Sequence, residues 1–353
     1  MTAHGSRRRN PPPATGPVHD GVVLDAADHR IIHGLQVDGR ASFSRLGAVL
    51  GLSEQTVARR WRRLRGDGVI RVLGLPSPDR VEPHWFVRMR VQPAAAGAVG
   101  DALARRADVS WVSITSGGSE ITFATRPRTE RQRDALLLDR LPRTVQVIDL
   151  NAFSVLHDWV GGPHEWTDFP DPLTADQIAA LQPPGRPLPD AVRAEPDDEP
   201  LLEALAADGR LGWAQLAAVT GWSESRVARR VEALRGAGAL YFDLEIAFEL
   251  LDRPVEALLW LRVEPADLDT VGVALARAPE SAYTAVLTGP ANLVVAVVAR
   301  DNADLYRFIT DRVGRLPVRS METSPVLRRV KQAGSRLDGP RLTDPDPTPT
   351  RGR

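Results

Sequence analysis

At 353 residues the chain exceeds what one hydrophobic core usually supports, so about two to four compact units are expected. With 43% apolar and 25% charged residues it has the composition of an ordinary globular protein, and no apolar run is long enough to cross a bilayer, which excludes a membrane-spanning chain. The absence of cysteine excludes disulfides, thiolate metal sites and thiol nucleophiles and suits a cytoplasmic location, and a formal net charge of zero excludes a surface coated in one sign.

Residues 1–20 read as a disordered tail: Arg7, Arg8 and Arg9 precede Pro11 to Pro13, without the apolar stretch of a signal peptide. From 21 to 75 three short helical patterns follow. Ile31, Ile32 and Leu35 mark the first, Phe43, Leu46, Val49 and Leu50 the second, and Val57, Trp61 and Leu64 the third. Gly39 and Gly51 stand where a helix C-terminus calls for a left-handed residue. Ser53 is the natural N-cap of the third helix, and Glu54 complements its dipole.

Three short helices joined by tight turns, the last of them basic, predict a helix-turn-helix. Between Ser53 and Arg71 six arginines (Arg59, Arg60, Arg62, Arg63, Arg65 and Arg71) face only Glu54 and Asp67. At about 100° per residue, Val57, Trp61 and Leu64 share one face, and Gln55, Thr56, Arg59, Arg62 and Arg63 the opposite one. Arginine can bond guanine bidentately, Gln55 can read adenine, and Thr56 can touch a thymine methyl or a phosphate. Arg45 on the second helix is better placed for the DNA backbone, and Ser53 and Arg60 complete the candidate set. The bland alternative is a small helical domain whose arginines are simply solvated.

Residues 81–160 change period. His84 to Val91 reads as a strand, Ala94 to Ala107 as a helix, Val109 to Thr115 and Ile121 to Thr125 as strands, Thr129 to Leu141 as a helix and Arg143 to Leu156 as a strand. The order βαββαβ is the split βαβ arrangement of a ferredoxin-like sheet, whose uncovered face needs a partner. Residues 161–198 form a Pro-, Gly- and Asp-rich linker in which only Leu173 to Leu181 is patterned for a short helix.

The chain then repeats itself. Asp38-Gly39-Arg40 recurs as Asp208-Gly209-Arg210, Ser53-Glu54 as Ser223-Glu224, and Val57-Ala58-Arg59-Arg60 as Val227-Ala228-Arg229-Arg230, at one offset of 170 residues. A second helix-turn-helix is thus expected over 199–243 and a second βαββαβ unit over 253–333, followed by a loose tail at 339–353. Ser225, Arg226, Arg229 and Arg230 keep the basic face, but Glu232 and Ala233 replace Arg62 and Arg63, so the second module should grip DNA less firmly. The predicted fold class is therefore α+β, with two winged-helix-like helix-turn-helix domains alternating with two ferredoxin-like units, paired as a pseudo-dimer within one chain.

Together Asp38-Gly39-Arg40, Gly51-Leu52-Ser53, Val57-Ala58-Arg59-Arg60, Gly68-Val69-Ile70, Leu287-Thr288-Gly289, Leu316-Pro317 and Met321-Glu322-Thr323-Ser324 resemble the Lrp/AsnC, or feast-or-famine, family of transcriptional regulators. The resemblance spans nearly the whole chain. It implies double-stranded DNA as a partner, a ferredoxin-like sensing domain, sheet-to-sheet pairing, larger homo-oligomers, and an amino acid or related metabolite as effector. Members usually carry one copy per chain, whereas this chain carries two. The family's effector loop reads Thr-Gly with an acidic residue three positions on. Here Ser116, Gly117 and Glu120 stand in one copy and Thr288, Gly289 and Asn292 in the other, so only Glu120 keeps the charge. The same glycines also suit plain β-turns.

No compact His/Asp/Glu cluster or phosphate-binding glycine loop points to an enzyme, and no cofactor, metal ligand or catalytic residue is assigned. His29 and His33, one helical turn apart, suit a helix surface. One enzymatic alternative shares the resemblance: siroheme decarboxylases are similar to this family and can occur as fused pairs.

Overall fold

The computed structural model describes residues 21–76, 84–127, 129–161, 166–183 and 192–344; the expected tail at 1–20 and the end of the expected tail, 345–353, lie outside the described residues. The first trio is α1 (Ala26–Val37), α2 (Phe43–Leu50) and α3 (Glu54–Gly66). Each helix starts on a side-chain cap: Asp25 accepts from the Asp28 amide, Ser42 from that of Arg45 and Ser53 from that of Thr56. Such caps contribute about 1 kcal/mol each. Gly51 closes α2 in the left-handed region at φ 70°, as expected. Gly39 differs, since its φ is not positive. A Cβ at Gly39 would sit 3.0 Å from Val72 Cγ1 and 3.2 Å from Phe242 Cβ, so close approach to residues of both copies, not a turn, requires glycine there.

After α3 comes β1 (Ile70–Pro76). The first βαββαβ unit runs β2 (Trp85–Val91), α4 (Ala96–Ala104), β3 (Val109–Thr115), β4 (Glu120–Thr125), α5 (Glu130–Asp134, continued by a π-helical stretch, Ala135–Arg140) and β5 (Val147–Gly161). The connector carries α6 (Ala175–Leu181), capped by Thr174. The second copy follows with α7 (Glu199–Ala207), α8 (Trp213–Thr220), α9 (Glu224–Gly236) and β6 (Leu240–Ile246), then β7 (Val255–Val263), α10 (Leu268–Ala276), β8 (Ser281–Leu287), β9 (Leu293–Ala299), α11 (Asn302–Arg307) and β10 (Val318–Arg329). The chain closes with a short hairpin of β11 (Leu337–Asp338) and β12 (Arg341–Leu342).

The eight strands of the two sensing units form one closed barrel, ordered β10-β3-β4-β2-β5-β8-β9-β7. Each unit keeps the split βαβ order, and the long last strand of each reaches across to the other copy: Val155 pairs with Leu287, and Val326 with Thr115. Alternation along the strands then serves two cores. In β2, Val87 and Met89 point to the core under α4 and α5, while Phe86 points to the barrel interior with Leu258 and Trp260. Closure leaves no free sheet edge, the hazard of an open four-stranded sheet. Above the barrel, β1 and β6 form a separate antiparallel ribbon in register from Ile70 with Ile246 to Pro76 with Leu240, so each helical trio contributes one strand to a shared ribbon.

The connector does more than span. Trp166 and Leu181 are fully buried in the first trio's core, which also includes Ile31, Leu35 and Leu46. Gln36 Nε2 donates to the Trp166 carbonyl at 2.7 Å, and the Phe169 ring stacks on His33 with centroids 4.4 Å apart. His29 and His33 therefore do not decorate a surface: both are buried, with His29 Nδ1 3.1 Å from Asp171 and His33 Nδ1 accepting from the Leu173 amide at 3.0 Å. The expected loose tail is docked as well up to residue 344. The Leu342 amide donates to the Gly68 carbonyl at 2.8 Å, Arg341 to the Asp67 carbonyl at 2.8 Å, and Arg71 pairs with Asp344. Gly68, at φ +68°, has Leu342 O 2.7 Å from where a Cβ would be.

This docking predicts a pH response. Burial lowers His33 from 6.5 to about 4, and burial followed by the nearby Arg126 does the same for His84. Between those values the unfolded chain binds more protons than the native one, so stability rises with pH across the window and falls as pH drops from about 6.5 toward 4. Melting curves should show Tm falling between about pH 6.5 and pH 5, above the range where most carboxylates titrate. His33→Asn, which retains an acceptor for the Leu173 amide, should flatten part of that slope. A Tm that is level over the window in the unaltered protein would refute the coupling.

Candidate nucleic-acid interface

The Val57, Trp61 and Leu64 stripe of α3 is buried against α1 and α2, which turns the opposite side of the helix to solvent. The candidate side chains meet different fates there. Gln55 and Arg59 are exposed and make no hydrogen bond or ion pair with another described residue. Arg62 is exposed and only its Nε leans back, to the Ala58 carbonyl at 3.2 Å. Thr56 shares its hydroxyl with the Ser53 cap at 2.9 Å.

The other arginines are held by the protein itself. Arg60 donates to Asp25 and Asp28, each at 2.8 Å, and the Asp28 hydrogen bond holds its guanidinium above the ordinary value. Arg63 reaches the second oxygen of Asp28 while remaining partly exposed. Arg45 is turned to the connector, donating to the Ala180 carbonyl at 2.8 Å and that of Gln182 at 2.9 Å. Arg60, Arg63 and Arg45 thus have internal structural partners that the expected DNA-facing assignment did not include. For Arg60 and Arg63 the physical reason is Asp28, a carboxylate 1% exposed at its side chain, which demands cationic partners when buried; for Arg45 it is the connector carbonyls that end α6.

The second module repeats the device. Arg230 grips both oxygens of Asp198 at 2.8 and 2.6 Å, so it too is an internal pin. Burial opposes ionisation of Asp198, but the Arg230 hydrogen bond overcomes it and holds that carboxyl below its usual range. Ser225 lies beside the Ser223 cap at 3.2 Å. Arg226 is exposed and stacks over Trp222 at 4.1 Å, and Arg229 is exposed without a partner among the described residues. Glu195, Asp197 and Asp198 line the same surface hollow as these arginines; Glu195 and Asp198 correspond to Asp25 and Asp28 beside α3, and Asp197 stands where the first copy has Ala27.

What holds the two modules relative to each other is the repeated Asp-Gly-Arg motif. Arg40 donates to the carbonyls of Gly209 and Leu211 at 2.6 and 3.1 Å, and Arg210 returns the contact to Gly39 and Ala41 at 2.5 and 3.0 Å. Each guanidinium also lies over an aromatic ring of the facing copy, Arg40 on Trp213 at 4.4 Å and Arg210 on Phe43 at 4.6 Å. Asp38 and Asp208 accept from the arginine amide two residues on and pair with Arg235 at 2.7 Å and Arg65 at 2.9 Å. Burial first, then the neighbouring Arg40, pulls the Arg210 guanidinium down to about 10. In the sequence this motif marks only duplication; its recurrence outside the recognition helices was the signal that could have disclosed the contact.

The expected effector loops sit where the two sheets join. Glu120 is buried and accepts from Arg88 at 2.8 Å and from Ser116 Oγ at 2.8 Å, while Arg88 also binds Glu322. Gly117 and Ser116 are left-handed, at φ 68° and 52°. In the other loop Asn292 exchanges two bonds with the Val263 backbone at 2.9 and 2.8 Å, and Thr288 Oγ1 accepts from the Ser154 amide at 2.9 Å. A Cβ at Gly289 would lie 2.6 Å from the Phe153 ring. The acid and the carboxamide of these loops therefore already have partners that build the turns.

The AsnC-type helix-turn-helix domain matches this chain twice, over 24–65 and 197–235, and the Lrp/AsnC ligand binding domain matches 256–335. An uncharacterized HTH-type transcriptional regulator of Pyrococcus furiosus is 30% identical over 122 residues, which are 34% of this chain and 82% of that protein. HTH-type transcriptional regulator FL11 of Pyrococcus abyssi is 28% identical over 119 residues, 33% of this chain and 79% of that protein. A single relative thus aligns with about one copy of the repeat. Among solved structures, the siroheme decarboxylase NirDL has the same fold across both copies, with a TM-score of 0.55, 14% identity, and coverage of 87% of this chain and 92% of that chain.

Proposed function

This chain belongs to the Lrp/AsnC family, and from that premise we propose that it is a transcriptional regulator that holds double-stranded DNA with two unequal recognition helices, α3 and α9, fixed on one frame. The observation that carries the reading is the free row of Gln55, Arg59 and Arg62 on α3, turned outward by a buried stripe and repeated, in weaker form, by Arg229 on α9. Phosphate contacts would fix the register and the free row would discriminate bases. Clasped modules suit half-sites about one helical turn, roughly 34 Å, or a multiple apart. Among the described residues no helix is long and apolar enough to cross a membrane. The paired sensing units would carry the effector response.

Titration onto the DNA upstream of its own gene tests this. About six phosphate contacts should weaken binding roughly a thousandfold between about 50 and 200 mM salt; affinity indifferent to salt would sink the proposal. The fold shared with siroheme decarboxylase NirDL over 87% of this chain supports a second reading, a decarboxylase-like enzyme of the same architecture. Against it, His29 and His33 are occupied in holding the connector. An absorbance scan after adding siroheme separates the two: a shifted Soret band at stoichiometric protein would favour the enzyme.

A further inference from the structure

The barrel is closed but not filled. Phe86, Tyr283 and Trp260 plug its middle, with Phe86 stacked on Tyr283 at 6.1 Å and edge-on to Trp260 at 5.6 Å. At the end facing the helical trios they leave a cavity of about 260 Å³, near the small end of ligand pockets. Its two sides are chemically different. The first copy presents Ser113, Thr122 and His84, the second Leu258, Ala282 and Ala296 together with the ion pair between Glu256 and Arg329. The counterparts of Ser113 and Thr122, 172 residues on, are Ala285 and Val294. A homodimer has the same groups on both sides; in this fused chain the two hydroxyls are replaced by apolar residues in the second copy, where the counterpart of His84 is Glu256, paired with Arg329.

Two polar atoms of the first-copy wall lack a partner among the described residues. Ser113 is 1% exposed, yet its Oγ has no hydrogen-bond partner, and neither has the buried His84 Nε2. Interior hydroxyls and imidazoles are normally paired, because leaving one unpaired forfeits its hydration. Strand β3 is bulged between Ser110 and Ser113, and Trp111, also on the wall, is left-handed at φ 55°, a strained conformation for a bulky residue of the kind concentrated at ligand sites. The charges around the cavity are matched: Glu256 with Arg329, Asp108 with Arg106, and Arg126 at the Tyr241 hydroxyl with Asp243 nearby. Burial keeps His84 neutral, at about 4. The roof is the ribbon that joins the two DNA-binding modules, through Leu75 and Pro76 of β1 and Tyr241 and Asp243 of β6. Phe248, Ala282 and Val298 belong both to this wall and to the first trio's hydrophobic core.

We propose that this cavity binds one uncharged, planar aromatic molecule of about one or two fused rings, lying on Leu258 and Tyr283 with its polar edge bonded to Ser113 and His84, and that occupancy resets the ribbon and thereby DNA affinity. The second half rests on the regulator reading above; the first half does not. A ligand that bridges barrel and ribbon favours one arrangement of the modules over others, which is the condition for shifting their equilibrium.

The test uses the full chain and Prodan, an uncharged naphthyl ketone dye that emits further to the blue in apolar surroundings. One dye per chain should bind saturably. Ala296→Phe or Ala124→Leu, each filling the cavity from a different copy, should abolish the shift while circular dichroism stays unchanged, and Ser113→Ala should weaken binding about tenfold, the worth of one hydrogen bond. A naphthoate of the same size should bind at least tenfold more weakly. No saturable shift, a shift untouched by either filling variant and by Ser113→Ala, or equal binding of the naphthoate overturns the ligand site. DNA affinity should change at least threefold on adding dye; if the dye binds as described and DNA affinity does not move, the coupling fails. If the dye binds and no DNA is bound with or without it, the regulator reading fails and the ligand site stands.

Discussion

Replacing Arg40 and Arg210 together by alanine is expected to remove about 5 kcal/mol of stability and to collapse affinity for a two-half-site operator, although neither residue faces DNA. Each guanidinium satisfies two backbone carbonyls of the other module, at 2.6 and 3.1 Å for Arg40 and 2.5 and 3.0 Å for Arg210. Carbonyls left buried and unpaired cost about 1 to 3 kcal/mol each, and the lost stacking on Trp213 and Phe43 adds to that. With the clasp open, the ribbon and the ion pairs of Asp38 with Arg235 and Asp208 with Arg65 are left to tie the modules, and the second half-site benefits less from the first being bound. Lysine at both positions should restore less than half of the loss, since an ammonium can neither fork between two carbonyls nor lie flat on a ring. Urea denaturation and binding to one-site and two-site duplexes check this. A stability change under about 1 kcal/mol, or unaltered preference for the two-site duplex, would show that the clasp is decoration.

Elements whose cores are written in neighbouring residues were legible in the sequence. The spacings of Ile31, Leu35, Val57, Trp61 and Leu64 specify the trio, and the run of strands and helices after it specifies the split βαβ order, because these periodicities report which face is buried. Pairings between copies were not legible. Nothing local says that β1 joins β6, or that β5 and β10 cross to close a barrel, since such contacts depend on how two finished units meet. The arginines make the same point at the scale of one side chain. Arg59 and Arg60 are adjacent and chemically identical, yet one is free and the other is fixed on Asp28. A helical wheel separates them by about 100° but cannot see the carboxylate on α1. The repeat held a clue to it: Asp28 and Asp198 recur at the same spacing as Arg60 and Arg230. Likewise Trp166 and Phe169, two aromatics in a proline- and aspartate-rich stretch, signalled that the connector is docked rather than loose. The cavity was hidden for the opposite reason, because it is made where residues from both copies, the ribbon and the terminal segment converge.

Arg59→Ala should weaken DNA binding by about 10- to 100-fold, the loss of one bidentate base contact, and reduce the salt slope by about one if part of its role is at phosphate. Folding stability should not change, because Arg59 is exposed and bonded to no other described residue. Arg229→Ala should cost about threefold or less. Both rows stand beside a matching acidic pair, Asp25 and Asp28 at α3 and Glu195 and Asp198 at α9, but α9 adds Asp197, which raises the cost of bringing a phosphate near, and Glu232 occupies the place of Arg62. Like charges at a polyanion act in the direction opposite to counterion release, so each acidic neighbour subtracts from what Arg229 contributes. Glu232→Arg should therefore raise affinity several-fold and steepen the salt slope, while leaving Arg59→Ala as damaging as before. Equal losses from Arg59→Ala and Arg229→Ala would refute the ranking of the two modules, and a loss of Tm in Arg59→Ala comparable to its loss of binding would refute the assignment of that side chain to DNA.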